Sequence, residues 1–430
     1  MADLIVKGGK PLSGKITPSG NKNSILPILC ASLLTDEKVV IKNVPDLTDV
    51  RLLVDLLSGV GVKINWDKEK CVLEIDNSKF NYSAFKSGFP AGMRGSVLLL
   101  APLLFRMKKL VFKNDIGGCA LGIREIDPHL EMLKKLGAKI RNGGKLSLEI
   151  ESGFKGAAVW QDYTSVTTTE NFLMGAVMAK GNSKITNAAS EPHVQDLCRF
   201  LNKMGAKISG IGTNVLAVCG VKKLSGAEFK VNSDHHEVVT MLALGAMTGG
   251  EVEVNEVNID DYPNIINSFA KLGVELEAGK NTLLVRKKQK LTIQKTFTKN
   301  LLQKIEAAPW PYFPADLLPL MIALAVVSEG QIMFWNKVYE GGFFWVLEMI
   351  KFGAHIVVCD PHRVIVFGKK PLRPAEVDAP EIIRAAVALT MVALTIKGTS
   401  IIRNADTIKR AHPNFVEKMK SLGADIRWVN

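Results

Sequence analysis

The stretch Leu133-Lys134-Lys135-Leu136-Gly137-Ala138-Lys139-Ile140 decides the fold, because its second half follows a pattern that occurs six times in the chain. The pattern is an apolar residue, Gly, Ala or Val, any residue, and a second apolar residue. Each copy follows a helical spacing of apolar residues and precedes a strand-like run, where a glycine with positive φ typically ends a helix. The six copies are residues 60–64, 136–140, 204–208, 272–276, 352–356 and 422–426.

A second marker, a short β run ending in Asn, precedes each of these glycines by 17 to 23 residues. An apolar segment of helix length, such as residues 25–34 or 317–327, lies before each β run. The two markers together predict a unit of strand, helix, strand, helix and strand that is repeated six times. The asparagines are Asn43, Asn114, Asn187, Asn255, Asn336 and Asn404.

Six units of this size divide into two domains of three. The first helix of each unit is so apolar that it must be buried on nearly all sides. We therefore predict an α/β protein with closed domains and helices inside. We place repeats one to three in a domain of residues 22–231, and repeats four to six, with residues 1–21, in a domain of residues 232–430.

Composition excludes several classes of protein. The chain has 430 residues, of which 47% are hydrophobic and 23% charged, so it is neither disordered, collagen-like nor a disulfide-stapled miniprotein. Its six cysteines contain no CxxC pair, which is typical of individual thiols in a reducing compartment. The N-terminal residues have no signal-peptide pattern, and the apolar runs are too short to span a membrane. We expect a cytoplasmic protein that does not enter a membrane.

The charge balance leaves two kinds of partner open. The 55 Lys and Arg residues exceed the 42 Asp and Glu residues by 13, which suits either a nucleic acid or small acidic substrates. Composition does not choose between them. The basic residues 286–304 have little aromatic interleaving and no recognised binding module, so a solvated face is favoured there over nucleic-acid binding.

One repeat is irregular. In repeat two the distance from the Asn to the Gly is 23 residues, which is about five more than in the other repeats. The insertion is Asp115-Ile116-Gly117-Gly118-Cys119-Ala120-Leu121-Gly122-Ile123-Arg124. A glycine-rich insertion that carries Cys119 and Arg124 in an otherwise regular chain is typical of a functional loop.

The starts of the six apolar helices occupy equivalent positions, so their residues should face a shared region. Helix N-termini are positive, and added cations would make an anion site there. Asp316 has the opposite charge, and both a base and a plain N-cap remain open for it. His235-His236 could suggest a metal, but no third ligand has suitable spacing, so solvated or capping histidines are favoured. The helix-start residues are Lys22, Asn23, Arg94, Ser165 to Thr168, Asp234, His235, Glu237, Asp316 and Arg384.

Several of these stretches resemble the enolpyruvyl transferases, and the similarity runs from end to end. They are Ser19-Gly20-Asn21-Lys22-Asn23-Ser24, Gly117-Gly118-Cys119 with Gly122, Arg124 with Asp127 and His129, and Phe313-Pro314-Ala315-Asp316. The Gly-Gly-Cys loop is specific to the branch that acts on UDP-N-acetylglucosamine. The resemblance implies a two-domain inverse α/β barrel with the active site between the domains. It also implies transfer of the enolpyruvyl group of phosphoenolpyruvate to the 3-hydroxyl of UDP-N-acetylglucosamine with release of phosphate, the first committed step of peptidoglycan synthesis.

The resemblance also implies a role for each matched residue. Cys119 would protonate C3 of phosphoenolpyruvate, and Asp316 would take the proton of the sugar hydroxyl. Lys22 and Arg124 would hold the phosphate, and Arg410, with Arg384 nearby, the carboxylate. No metal or organic cofactor is implied. The expected contacts to the nucleotide sugar are Asn23, Arg94, Ser165, Val166 and the stretch from Arg124 through Asp127 to His129. Cys119, Asp316 and Val338 are further expected substrate contacts.

Four positions depart from the family pattern. Gly342 replaces an arginine, Ile382 an aspartate and Thr167 a glycine, and Tyr163 stands where one branch has a lysine. Two alternatives therefore stay open: enolpyruvyl transfer to a different nucleotide or sugar acceptor, or a paralogue that binds a nucleotide sugar with impaired catalysis. The sequence does not determine the oligomeric state, for which a monomer is our expectation.

Overall fold

The computed structural model describes residues 2–81, 94–112, 125–142, 145–298 and 300–429. Cys119 and Arg124, which carry two of the expected roles, lie outside these residues, as does the side chain of Arg94. Their roles therefore stay predictions.

The helices of the described residues alternate along the chain between two kinds. Most of the odd-numbered helices are buried along nearly their whole length, and the even-numbered ones keep a more exposed, polar face. Short 3-10 helices cover Arg94–Leu99, Ile259–Asp261, Ala315–Leu317 and Ala405–Arg410. The α-helices are α1 (Lys22–Ser32), α2 (Thr48–Gly59), α3 (Leu100–Met107), α4 (Asp127–Lys135), α5 (Val166–Ala176), α6 (Pro192–Lys203), α7 (His235–Thr248), α8 (Pro263–Lys271), α9 (Leu318–Val327), α10 (Val346–Lys351), α11 (Ile383–Thr395) and α12 (Phe415–Ser421).

The strands are short and lie between the helices along the chain. They are β1 (Asp3–Gly8), β2 (Gly14–Ile16), β3 (Val39–Lys42), β4 (Lys63–Asp67), β5 (Val72–Asp76), β6 (Lys109–Val111), β7 (Lys139–Asn142), β8 (Leu146–Glu149), β9 (Ala158–Trp160), β10 (Asn182–Thr186), β11 (Lys207–Ser209), β12 (Val215–Cys219), β13 (Glu228–Lys230), β14 (Val252–Val254), β15 (Leu276–Ala278), β16 (Leu283–Val285), β17 (Gln303–Ala307), β18 (Gln331–Asn336), β19 (His355–Asp360), β20 (Arg363–Phe367), β21 (Glu376–Asp378), β22 (Gly398–Arg403) and β23 (Asp425–Val429).

Among the described residues these strands form one sheet per repeat. The sheet orders are β13-β3-β5-β4, β6-β8-β7, β11-β12-β10-β9, β15-β16-β14-β2, β17-β18-β20-β19 and β21-β22-β1-β23. Repeats one to five have an antiparallel hairpin after the second helix, one strand more than the sequence predicted. Two short strands joined by a tight turn resemble a single alternating run, because no helix separates them.

The N-terminal segment completes sheets of the last three repeats. Strand β1 lies between β22 and β23, and β2 pairs parallel with β14. Strand β13, which follows repeat three, pairs parallel with β3 of repeat one. Each set of three repeats is therefore completed by a strand that is far in sequence from the strand with which it pairs.

The described residues divide into two compact units, one within residues 20–232 and the other made of residues 2–19 and 233–429. Each unit has its own apolar core around its odd-numbered helices. Burial is nearly complete along them: thirteen of the fourteen residues of α7 and nine of the ten of α9 are buried. The prediction of helices inside the sheets is thus confirmed, because helices that are apolar on all sides find no polar face to turn to water.

The six repeat glycines follow the ends of the even-numbered helices, as predicted. Their φ angles lie between +78° and +101°, in the left-handed region that glycine adopts without steric cost. Each glycine therefore turns the chain from a helix into the hairpin or strand that follows. None of the helices in the described part of the chain is long and apolar enough to cross a bilayer.

Candidate functional site

Lys22, the first residue of α1, is held in an ion pair. Its Nζ lies 2.5 Å from Asp49 Oδ2 on α2, and the two side chains are only 12% and 13% exposed. Asn21 caps the same helix, since its side chain accepts from the backbone N–H of Asn23 at 2.7 Å and of Ser24 at 3.3 Å. The start of α1 thus places a sheltered cation beside a capped helix N-terminus, an arrangement suited to binding an anion.

The start of α5 carries a second group of predicted contacts. Ser165 is the N-cap, accepting from the Thr168 N–H at 3.3 Å, and Val166 is the first helical residue. Asp127 is exposed in the first turn of α4.

His129, two residues further along α4, is buried and engaged within its unit. Its Nδ1 accepts from the Asn171 amide at 3.1 Å, and its Nε2 lies 3.2 Å from the Thr167 hydroxyl. Burial lowers the pKa of His129 to about 4, so the imidazole is neutral at neutral pH. Thr167, a departure from the family pattern, thereby supplies a partner for His129.

In the other unit, Asp234 organises the start of α7. Its Oδ1 caps the helix by accepting from the His236 N–H at 2.8 Å, and it also accepts from His236 Nδ1 at 2.7 Å. Its Oδ2 lies 3.7 Å from Arg384 Nη2 on α11. All three side chains are buried.

The charges of this group follow from its contacts. Burial alone would raise the pKa of Asp234, but His236 and Arg384 outweigh it and hold the pKa well below the usual value. Asp234 is therefore a carboxylate. Burial, and then Arg384, lower the pKa of His412, which stays neutral and accepts from Arg384 Nη1 through its Nε2. The Arg384 guanidinium is thus oriented from two sides.

Asp316 lies in the 3-10 turn Ala315–Leu317 just before α9, and its side chain is 40% exposed. Its Oδ2 is 3.8 Å from His236 Nε2, and its Oδ1 accepts from the Tyr339 hydroxyl at 3.3 Å. The structure therefore joins two of the predicted residues, Asp316 and Arg384, through His236 and Asp234. A partly exposed carboxylate with an oriented neighbour can act as a general base.

Comparison with known proteins decides the family. The family model described as EPSP synthase (3-phosphoshikimate 1-carboxyvinyltransferase) matches residues 6–419. The chain belongs to this family of enolpyruvyl transferases. Among curated relatives, the UDP-N-acetylglucosamine 1-carboxyvinyltransferase of Borrelia garinii subsp. bavariensis is 41% identical over 430 residues, covering 100% of this chain and 99% of its own. The protein of the same name from Borreliella burgdorferi is 40% identical over 429 residues, with 100% and 99% covered.

A solved structure agrees on the fold. The enolpyruvyl transferase NikO from Streptomyces tendae aligns with a TM-score of 0.87 at 21% identity, covering 100% of this chain and 99% of its own. The fold is therefore the two-domain inverse α/β barrel of the enolpyruvyl transferases, as predicted, and the chain is a transferase.

The turn after β18 differs from the pattern of the enolpyruvyl transferases. An ideal Cβ on Gly342 would overlap Asn336 Nδ2, and the Trp345 indole donates to the Gly342 carbonyl at 2.9 Å. The same Asn336 accepts through Oδ1 from the Val338 N–H at 2.9 Å. This turn holds no side chain at position 342 unless Asn336 moves. Arg410, predicted to contact the carboxylate, is exposed at the end of the 3-10 helix Ala405–Arg410.

A possible metal group is disfavoured by its neighbours. Asp234, His235 and His236 offer ligand atoms within 4.8 Å of one another, so Asp234 is a third candidate ligand that the sequence reasoning missed. However, Asp234 uses Oδ1 for His236 and turns Oδ2 towards Arg384. A guanidinium 3.7 Å away would repel a divalent cation. The absence of a metal stays a prediction.

Sequence reasoning missed four residues that contact the predicted site residues Lys22, Asp316 and Arg384. They are Asp49, Tyr339, His412 and His236, which does more than cap a helix. His236 had a signal, since it stands two residues after an N-capping aspartate. Asp49 and His412 had none, because each meets its partner only through the packing of segments that are separate in sequence.

Proposed function

We propose that this chain transfers the enolpyruvyl group of phosphoenolpyruvate to the 3-hydroxyl of UDP-N-acetylglucosamine and releases phosphate. The observation that carries the proposal is the 41% identity, over the full length, to a protein named for transfer to this acceptor. In the cell this would be the first committed, cytoplasmic step of peptidoglycan synthesis, on which cell shape and division depend.

Asp316 is the base of the proposed reaction. Its partly exposed carboxylate, oriented by the Tyr339 hydroxyl, suits removal of the proton from the 3-hydroxyl. As the O–H bond breaks, the sugar oxygen forms a bond to C2 of phosphoenolpyruvate while C3 receives a proton. Loss of a proton from C3 and cleavage of the bond between C2 and the phosphate oxygen then yield the enol ether and phosphate.

Cys119 is the proposed acid that delivers the proton to C3, in line with the resemblance of the Gly-Gly-Cys loop. Lys22 and Arg124 are the proposed phosphate contacts, and Arg384 and Arg410 the proposed carboxylate contacts. For Lys22, the ion pair with Asp49 supports this role, because it fixes the ammonium group before substrate binds. For Arg384, orientation by Asp234 and His412 gives the same support.

The test is phosphate release from phosphoenolpyruvate alone, with UDP-N-acetylglucosamine, and with 3-phosphoshikimate. Release should occur only with UDP-N-acetylglucosamine. Cys119→Ala and Asp316→Asn should each lower kcat by at least about a hundredfold, as loss of a proton-transfer group does. Cys219→Ala, which removes an exposed thiol of β12, is the matched control and should keep the wild-type rate. Full activity of Cys119→Ala would rule out the acid assignment.

The turn at Gly342 favours a second candidate, the same chemistry on a different acceptor or binding of a nucleotide sugar with impaired catalysis. The family arginine is replaced there by Gly342, and Asn336 occupies the space that a Cβ at this position would need. Calorimetric binding of UDP-N-acetylglucosamine without phosphate release would support an impaired paralogue. Release with another nucleotide sugar alone would support a different acceptor.

A further inference from the structure

His236 lies between two carboxylates, and the family resemblance gives it no role. The second residue of α7, it is only 2% exposed. Nδ1 is 2.7 Å from Asp234 Oδ1, and Nε2 is 3.8 Å from Asp316 Oδ2. One ring nitrogen thus faces a buried carboxylate and the other faces the carboxylate of the proposed base.

The Asp234 contact fixes the ring and its tautomer. Asp234 is ionised and can only accept, so Nδ1 carries a proton and donates it. In the neutral ring, Nε2 then has a free lone pair directed towards Asp316. The remaining gap of 3.8 Å exceeds a hydrogen bond, so proton transfer requires the 40% exposed side chain of Asp316 to move closer. Its other oxygen stays with the Tyr339 hydroxyl.

Several groups surround His236. Asp234 and Asp316 face opposite ring nitrogens. Arg384 approaches from α11 to within 3.7 Å of Asp234 and donates to His412. His235 stacks on the ring with centroids 4.1 Å apart. Two carboxylates therefore flank the ring, and one guanidinium lies beside them.

We propose that His236 is a positioning residue for Asp316: it acts through the carboxylate by accepting, at Nε2, the proton that Asp316 takes from the acceptor hydroxyl. The inference rests on the proposed function, in which Asp316 is the base. The hydroxyl proton moves to Asp316, then from Asp316 Oδ2 to His236 Nε2. Asp316 is again a carboxylate, and the imidazolium lies between two anions. After product leaves, the proton returns through Asp316 to water.

Two substitutions separate the roles of the two ring nitrogens of His236. His236→Asn keeps an amide donor near the place of Nδ1, for Asp234, but leaves nothing towards Asp316. His236→Gln places an amide near Nε2 but cannot titrate. Thermal unfolding of each variant is measured first, so that a variant that fails to fold is set aside and the other is used. His355→Gln, which removes an exposed histidine of the same unit, is the control.

We expect His236→Asn to lower kcat about tenfold to a hundredfold, with the KM of both substrates within about twofold. The acid limb of the pH profile of kcat should differ between the wild type and both His236 variants. His355→Gln should keep the wild-type rate and profile. A wild-type kcat and an unchanged acid limb in either folded His236 variant would overturn the proposal.

Two further measurements show whether His236 acts through Asp316. In the Asp316→Asn background, His236→Asn should cause no additional loss of rate, whereas independent roles would give additive losses. In the protein with its histidines 13C-labelled, Asp316→Asn should shift the ring resonances of His236, and unmoved resonances would contradict the proposal. If the wild-type protein releases no phosphate with UDP-N-acetylglucosamine, the proposed function fails. If it does and the His236 variants match it, only this inference fails.

Discussion

At the scale of single residues, His129 shows how burial couples stability to pH. Its folded pKa is about 4, whereas an unperturbed histidine has a pKa near 6.5. Between these values the unfolded chain binds a proton that the folded chain does not, so the free energy of unfolding falls as the pH falls. By pH 5 the loss is about 2 kcal/mol.

We therefore expect His129→Gln to have a smaller decrease in unfolding free energy between pH 7 and pH 5 than the wild type. Denaturant titrations at the two pH values measure this difference. An identical decrease in both proteins would show that His129 is not buried in neutral form.

The ion pair of Lys22 with Asp49 allows a test of whether Lys22 is shielded from water. Asp49→Asn leaves Lys22 charged and largely shielded from water, so the free energy of unfolding should fall by about 2 kcal/mol. The control is Glu228→Gln, which removes the exposed partner of Lys42 and should cost less than about 0.5 kcal/mol. Equal losses in both variants would mean that the Lys22 pair is an ordinary surface contact.

At the scale of elements, the repeat glycines allow the cost of backbone strain to be measured separately from the cost of packing. Gly205 has φ +101° and no atom within 4 Å of an added Cβ, so any cost of Gly205→Ala comes from φ alone. Gly59, at the end of α2, is equally open but has no positive φ. We expect Gly205→Ala to lower the free energy of unfolding by about 1 kcal/mol and Gly59→Ala to leave it unchanged or raise it. Thermal unfolding compares them, and a stabilised Gly205→Ala would contradict the assigned backbone.

The elements were the part of the fold that the sequence could predict. The repeat glycines, the apolar helices and the capping residues Ser165 and Asp234 are local patterns, and each stands where its pattern indicates. The second strand of each hairpin was missed because no helix marks it off. The pairings of β2 with β14 and of β13 with β3 join strands that are far apart in sequence, so they leave no local pattern.

The candidate site was predictable only in part, for a similar reason. The helix starts put Lys22, Asp316 and Arg384 forward as site residues. Their partners come from other elements: Asp49 from α2, and His412 from the segment after the last 3-10 helix. Such contacts depend on how the helices pack, and a single sequence does not specify that.

At the scale of the whole molecule, the excess of 13 positive charges has a narrower explanation than composition allowed. Lys22 and Arg384, two of the proposed substrate contacts, are held in place by protein partners. Other basic side chains are solvated, such as Arg286, which forms an exposed pair with Glu277. The domain boundaries at residues 22 and 232 and the monomeric state stay predictions.

The central claim is that this chain makes a carbon–oxygen bond between the enolpyruvyl group and UDP-N-acetylglucosamine. The most direct measurement is mass spectrometry of the products, with quantified phosphate, after incubating the protein with phosphoenolpyruvate and UDP-N-acetylglucosamine. The account predicts a new nucleotide sugar heavier by one enolpyruvyl group, with one phosphate released for each. Unchanged UDP-N-acetylglucosamine, with no phosphate released by a folded protein that binds both substrates, would contradict it.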